Sequence, residues 1–281
     1  MDFLAQEIRP ITGEQTRLTA RHLTPALKDI QQLLLRMRRE IDGELQPLFP
    51  VCRGKPYPYG RCLEISQCFM RNLRAALHTK VPNRGLRALR DFVQAGGRID
   101  WVWGALREQF FQNAFQVGAL YVDVSNDTVT LTKPPVEILP FKQADFRAIE
   151  GLEHFAKVAR VYWGLDICVN DVVPSLAPVL PMISQPRQGK SELLSVTDYM
   201  IDYFRRDKFV QAEEFLKNGP SLPPQQWAAM RARVPDDLGA ADAVQGRTAA
   251  LAAIAAARAD GMDALPQWRS DRLKDFQRIV P

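Results

Sequence analysis

A chain of 281 residues, 46% of them hydrophobic, has material for one large core or a core with an appendage, and this excludes wholesale disorder. Its formal charge of +5 is spread along the sequence, with local groups at Arg36, Arg38 and Arg39 and at Arg84, Arg87 and Arg90 that read as solvated helix faces. Four cysteines are too few for a disulfide scaffold, no apolar run reaches the roughly 18–20 residues of a membrane span, and Met1 to Glu7 lacks a secretory signal, so free thiols in a reducing, cytoplasmic setting are expected.

Thr24-Pro25 reads as an N-cap followed by proline at the first helical position. Leu27, Ile30, Leu34, Met37 and Ile41 then recur at spacings of three and four, which predicts a core helix ending near Asp42, with Gly43 as its stop. Pro47 to Gly60 carries four prolines and two glycines and reads as a stiff loop. A second helix is predicted from Cys62 to Leu77, with Cys62, Ile65, Phe69, Leu73 and Ala76 along one face. Val81 to Gly85 breaks it, and a third helix spans Leu86 to Gln94.

The period then changes. Ile99 to Trp103 and Leu120 to Val124 alternate and are rich in aromatic and β-branched residues, so they read as strands. Phe110 to Val117 fits strand or helix, Asn126-Asp127 signals a turn, Thr128 to Leu131 reads as a further strand, and Val136 to Leu139 adds another. Asp145 to Tyr162 returns to helical spacing. Val172 to Pro186 is an apolar, proline-studded connection, and helices are expected over Leu193 to Leu216, around Trp227 and over the alanine-rich Ala240 to Ala259. Helices segregated from strands predict an α+β fold: a helical start, a small antiparallel sheet and a helical C-terminal extension, with a core over 1–183 and the extension over 184–281.

The stretch from Tyr57 to Leu77 looks most like a chemical site, because a rigid loop delivers Cys62 to a helix start. Unpaired N–H groups and the positive end of the helix dipole favour a thiolate there, and Arg61 adds charge. The bland alternative is a cysteine packed as a small apolar side chain. The cysteine spacings include no C-x2-C pair and no histidine at zinc spacing, so neither a metal site nor a cofactor is expected. Gln188-Gly189-Lys190-Ser191 lacks the first glycine of a phosphate loop.

The segment Tyr57-Pro58-Tyr59-Gly60-Arg61-Cys62-Leu63-Glu64-Ile65-Ser66 resembles the nucleophile junction of bacterial transglutaminase-like proteins of papain-like fold, and Gly118 to Ser125 resembles their aspartate strand. The resemblance covers about residues 57–131 and implies Cys62 as nucleophile and Asp123 as third member of a triad. It also implies a histidine on the preceding strand, where this chain has Gln112-Asn113-Ala114-Phe115. Neither amide can take a thiol proton.

Of the three histidines, His78 ends the cysteine's own helix, about 24 Å away at 1.5 Å per residue, and His22 precedes the first helix. His154 is therefore the best available base. On the leading reading, Cys62 forms a thioester in acyl transfer or amide hydrolysis on an amide- or thioester-containing small molecule or protein. Asp123 and His154 support it, and Gln112 or Asn113 act as polar site residues. The alternative is a non-catalytic relative of that fold, a protein- or ligand-binding module with Asn113 in place of the base. Nucleic-acid binding through basic helices trails both, since no zinc-finger, RNA-recognition or helix-turn-helix signature is present. No membrane partner is expected, and the sequence is silent on oligomeric state.

Overall fold

The computed structural model describes residues 7–79, 82–194, 198–262 and 266–279. The opening Met1 to Gln6, Val81 of the predicted helix break, and residues 195–197 within the predicted helix Leu193 to Leu216 lie outside the described residues. The fold is α+β, with helices and antiparallel sheets. The chain divides into two compact units, Met1–Ala148 and Ile149–Pro281. This division falls at 148/149 and not at the expected 183/184. The reason is local pairing: strands on either side of the expected boundary join one sheet, described below.

In the first unit, α1 (Gly13–Leu18) leads through one turn of π-helix and a 3-10 turn into α2 (Leu27–Leu45). Thr24 does not cap α2: its hydroxyl donates back to the Thr19 carbonyl, and the α-helix starts three residues later. Gly43 does not stop α2, which runs to Leu45 because Leu45 is itself buried in the core. Strands β1 (Val51–Cys52) and β2 (Lys55–Pro56) form a tight hairpin within the proline-rich loop. Helix α3 (Cys62–Leu77) follows, then α4 (Arg84–Gln94), capped by the Asn83 side chain accepting from the Leu86 N–H. Gly85 allows α4 to meet α2 closely, since a Cβ there would lie 2.5 Å from the Asp29 carbonyl oxygen.

The sheet of this unit has β3 (Ile99–Leu106), β4 (Phe110–Val117), β5 (Leu120–Asp123), β6 (Glu137–Pro140) and β7 (Phe146–Arg147), in the order β6-β5-β4-β3-β7, all antiparallel. Phe110–Val117 is thus a strand, paired on both sides. Thr128 to Leu131 is not one. The Thr128 N–H and hydroxyl both bond to the Ser125 carbonyl, and Asn126 donates to the Pro134 carbonyl, so this polar run closes into turns. The sheet is buried on both faces. Trp101, Phe115, Val117 and Val122 pack with α2, α3 and α4, and Phe69 meets Phe115 at 4.9 Å between ring centroids. Val102, Ala114, Tyr121, Phe141 and Phe146 form a separate cluster on the other face.

The second unit opens with α5 (Leu152–Trp163), ended by Gly164 in the left-handed region. The helix predicted from Asp145 therefore begins later, because Phe146 and Arg147 pair with β3. Strands β8 (Leu165–Val169), β9 (Met182–Pro186) and β10 (Glu192–Leu193) form an antiparallel sheet, order β10-β9-β8, where the sequence suggested only a connection and a helix. Helices α6 (Asp198–Arg206), α7 (Val210–Asn218), α8 (Pro224–Arg231), α9 (Ala243–Ala259) and α10 (Pro266–Gln277) complete it. Buried Asp171 ties this unit together, accepting from the Trp227 indole at 2.9 Å and the Ser221 hydroxyl at 2.6 Å.

Candidate functional site

The proline-rich loop is held at several points before it delivers Cys62. Tyr57 donates its hydroxyl to Asp42 on α2, and the Gly60 N–H donates to the Thr128 carbonyl at 2.8 Å. Gly60 has φ +71, and a Cβ there would lie 3.1 Å from the Cys52 sulfur, so the position suits glycine twice over. Arg61 pairs with Glu64 at 2.7 Å and lies over the Phe49 ring. Cys62 then opens α3, its side chain part-buried against the sheet.

On β4, the pleat sends neighbouring residues to opposite faces. Asn113 shares the helix-packed face with Phe115 and Val117. Its amide donates to the Cys62 sulfur at 3.5 Å, and its oxygen accepts from the Trp101 indole N–H at 3.1 Å. The indole fixes which way the amide points, since its N–H needs the oxygen and leaves the NH₂ for sulfur. Gln112 goes to the other face, where it donates to Asp123 at 2.7 Å. Asp123 also accepts from the Tyr121 hydroxyl at 3.1 Å, the Ser125 N–H at 2.7 Å and the Ser125 hydroxyl at 3.1 Å. The oxygen of the Gln112 amide has no hydrogen-bond partner among the described residues.

The electrostatics of the two faces follow from burial. Burial pushes the Cys62 thiol up; the Asn113 amide opposes this, while the charges of Asp123 and Glu64 add to it. The helix start was expected to lower this thiol, and loss of water outweighs it. Burial likewise raises the Asp123 carboxyl to about 6, against the four hydrogen bonds that favour its charged form. Tyr121 is pushed well above its usual range by burial and by Asp123.

Within the first unit the sequence-predicted residues fall in two places. Cys62 and Asn113 meet directly. Gln112 and Asp123 meet each other on the opposite side of the strand. Asp123 makes no hydrogen bond to Asn113. His154 belongs to the second unit, on the first turn of α5, where its Nδ1 accepts from the Glu150 N–H at 3.1 Å. His78 caps the far end of α3, and His22 lies in the π-helical turn. Sequence reasoning missed Trp101, Tyr121 and Ser125. Their strand alternation was visible, but the register that pairs Trp103 with Asn113, and so brings Trp101 diagonally near, was not. Among the described residues no group of three His, Cys, Asp or Glu side chains could hold a metal ion. Comparison of the chain with protein-family models, with curated proteins and with solved structures finds no match.

Proposed function

We propose that the first unit is a non-catalytic relative of the transglutaminase-like fold, a protein- or ligand-binding module in which Cys62 is kept as a neutral, packed thiol. The observation that carries this reading is the Asn113 amide beside the sulfur, held there by Trp101. A cysteine nucleophile needs a neighbouring base to take its proton and later return it to the leaving group. An amide does neither, and the direction of the thiol's pKa is upward. Acyl transfer through a Cys62 thioester is the competing reading and requires a base that Asn113 cannot supply.

Alkylation by iodoacetamide, followed site by site with peptide mass spectrometry, separates the two. Cys62 is expected to label no faster at neutral pH than Cys52 or Cys68. Faster labelling of Cys62, with an inflection below the ordinary thiol range, sinks the binding-module reading. Asn113→His supplies the complementary arm. An imidazole at this position is expected to raise Cys62 labelling about tenfold by lowering the thiol pKa.

A further inference from the structure

We propose that the hairpin before Cys62, together with the loop at 128–133, is a docking surface for an acidic protein segment carrying aliphatic side chains. The two segments are joined by the hydrogen bond from the Gly60 N–H to the Thr128 carbonyl. Leu48 and Val51 are 69% and 57% exposed, and Leu63 and Leu131 are also among the exposed large apolar residues of the chain. Single exposed apolar side chains are ordinary, but here three belong to the two joined loops, and Leu63 follows on the first turn of α3.

The charge of this surface is one-sided. Residues 46–63 and 128–135 contain Arg53, Lys55, Arg61 and Lys133 and no aspartate or glutamate. Arg61 is neutralised by Glu64 from α3. Arg53 and Lys133 make no ion pair among the described residues, and Lys55 lies over the Tyr59 ring at 4.2 Å. Other cations of the unit divide between those with carboxylate partners, such as Arg38, Arg71 and Arg107, and those without one among the described residues, such as Arg36, Arg39 and Arg87, so the feature of this surface is its lack of acidic residues.

Arg53 adds a second, independent argument. It occupies the first turn position of the hairpin at φ +49, followed by Gly54 at φ +74. Such turns favour asparagine or aspartate before glycine, and a long side chain in the left-handed region costs stability. The fold tolerates that cost at the tip of an exposed hairpin, where the gain is an outward cation. Aliphatic anchors beside unpaired cations match an acidic protein segment. A single-stranded nucleic acid would call for exposed aromatic rings to stack on, and Tyr57 and Tyr59 are part-buried.

The surface deepens the binding-module reading and is tested separately from it: labelling of Cys62 decides that reading, and peptide affinity decides this one. The probe is a fluorescently labelled peptide alternating glutamate and leucine, titrated with the full chain and followed by anisotropy. Saturable binding is expected. A glutamate–serine peptide and the double variant Leu48→Ser/Val51→Ser should each bind about tenfold more weakly. Arg53→Gly relieves the turn, so it should weaken binding while leaving the thermal midpoint unchanged or higher. The proposal is overturned if the glutamate–leucine peptide does not bind or a lysine–leucine peptide binds equally well. It is equally overturned if an oligonucleotide binds more tightly or Arg53→Gly leaves affinity unchanged.

Discussion

Two neighbouring residues of one strand, Gln112 and Asn113, face opposite environments, and the difference shows what each face is built for. On Gln112's side a carboxylate at zero exposure collects four donors from three residues, Gln112, Tyr121 and Ser125. On Asn113's side a single amide bridges an indole and a sulfur, with the thiol part-buried and the exposed apolar loop beside it. The first arrangement is inward, and apart from the Gln112 amide oxygen its polar groups are paired, so its contribution is to stability. The second has one long hydrogen bond to sulfur. The two residues that a triad would need to join, the one beside Cys62 and Asp123, are on different sides of the sheet.

The contrast can be broken most forcefully at Asp123. Asp123→Ala would strand the Tyr121 hydroxyl and the Ser125 N–H in a buried site and leave the Gln112 amide and the Ser125 hydroxyl only longer bonds, and we expect a loss of about 3–5 kcal/mol in urea unfolding of the first unit. Cys62 labelling of the protein that remains folded should change little if the two faces are independent.

A smaller effect comes from pH. The folded pKa of Asp123, about 6, is raised above its ordinary 3.8. The folded state therefore holds a proton that the unfolded state releases between these values. The associated stability is fully present below the lower value and is lost as pH rises through the upper one. From pH 7 to pH 5 the first unit should gain on the order of 1 kcal/mol from this group, the reverse of ordinary acid denaturation. Urea unfolding across that range, with Asp123→Asn as the variant that flattens the dependence, checks the sign.

The smallest change sharpens the other face. Trp101→Phe removes the indole N–H that orients the Asn113 amide and should cost about 1 kcal/mol. It should also raise the Cys62 thiol pKa further, since the NH₂ is no longer held on the sulfur. Labelling rates against pH read this directly. An unchanged profile would mean that Trp101 packs without orienting the amide.

Much of the first unit was legible. The apolar spacing of Ile30, Leu34, Met37 and Ile41 and the alternation through Ile99 to Trp103 come from periods that burial imposes on helices and strands. Cys62 at a helix start was legible for the same reason. What was not legible depends on long-range register. Whether Gln112 or Asn113 reaches the cysteine is a one-residue question, and one step along a strand exchanges the faces. Arg38 read as part of a solvated basic group, yet it is 1% exposed, because Asp127 arrives from a distant loop to join Asp42, one turn along the same helix, in receiving it. In the second unit the prolines around Val172 to Pro186 hid strand β9, whose partner β8 follows directly after a helix-ending glycine.

Arg38 carries a consequence for how the cysteine loop moves. Its guanidinium donates to Asp42, to both oxygens of Asp127 and to the Val124 carbonyl, while Asp42 also receives Tyr57 and the neighbouring Thr128 carbonyl receives Gly60. Lifting the loop gives up the Tyr57 and Gly60 hydrogen bonds, which land on the same segments that hold the buried Arg38. The loop therefore has no cheap private opening. It belongs to the cooperative unit rather than acting as a flap, and amide exchange at Gly60 should report the free energy of unfolding the whole first unit.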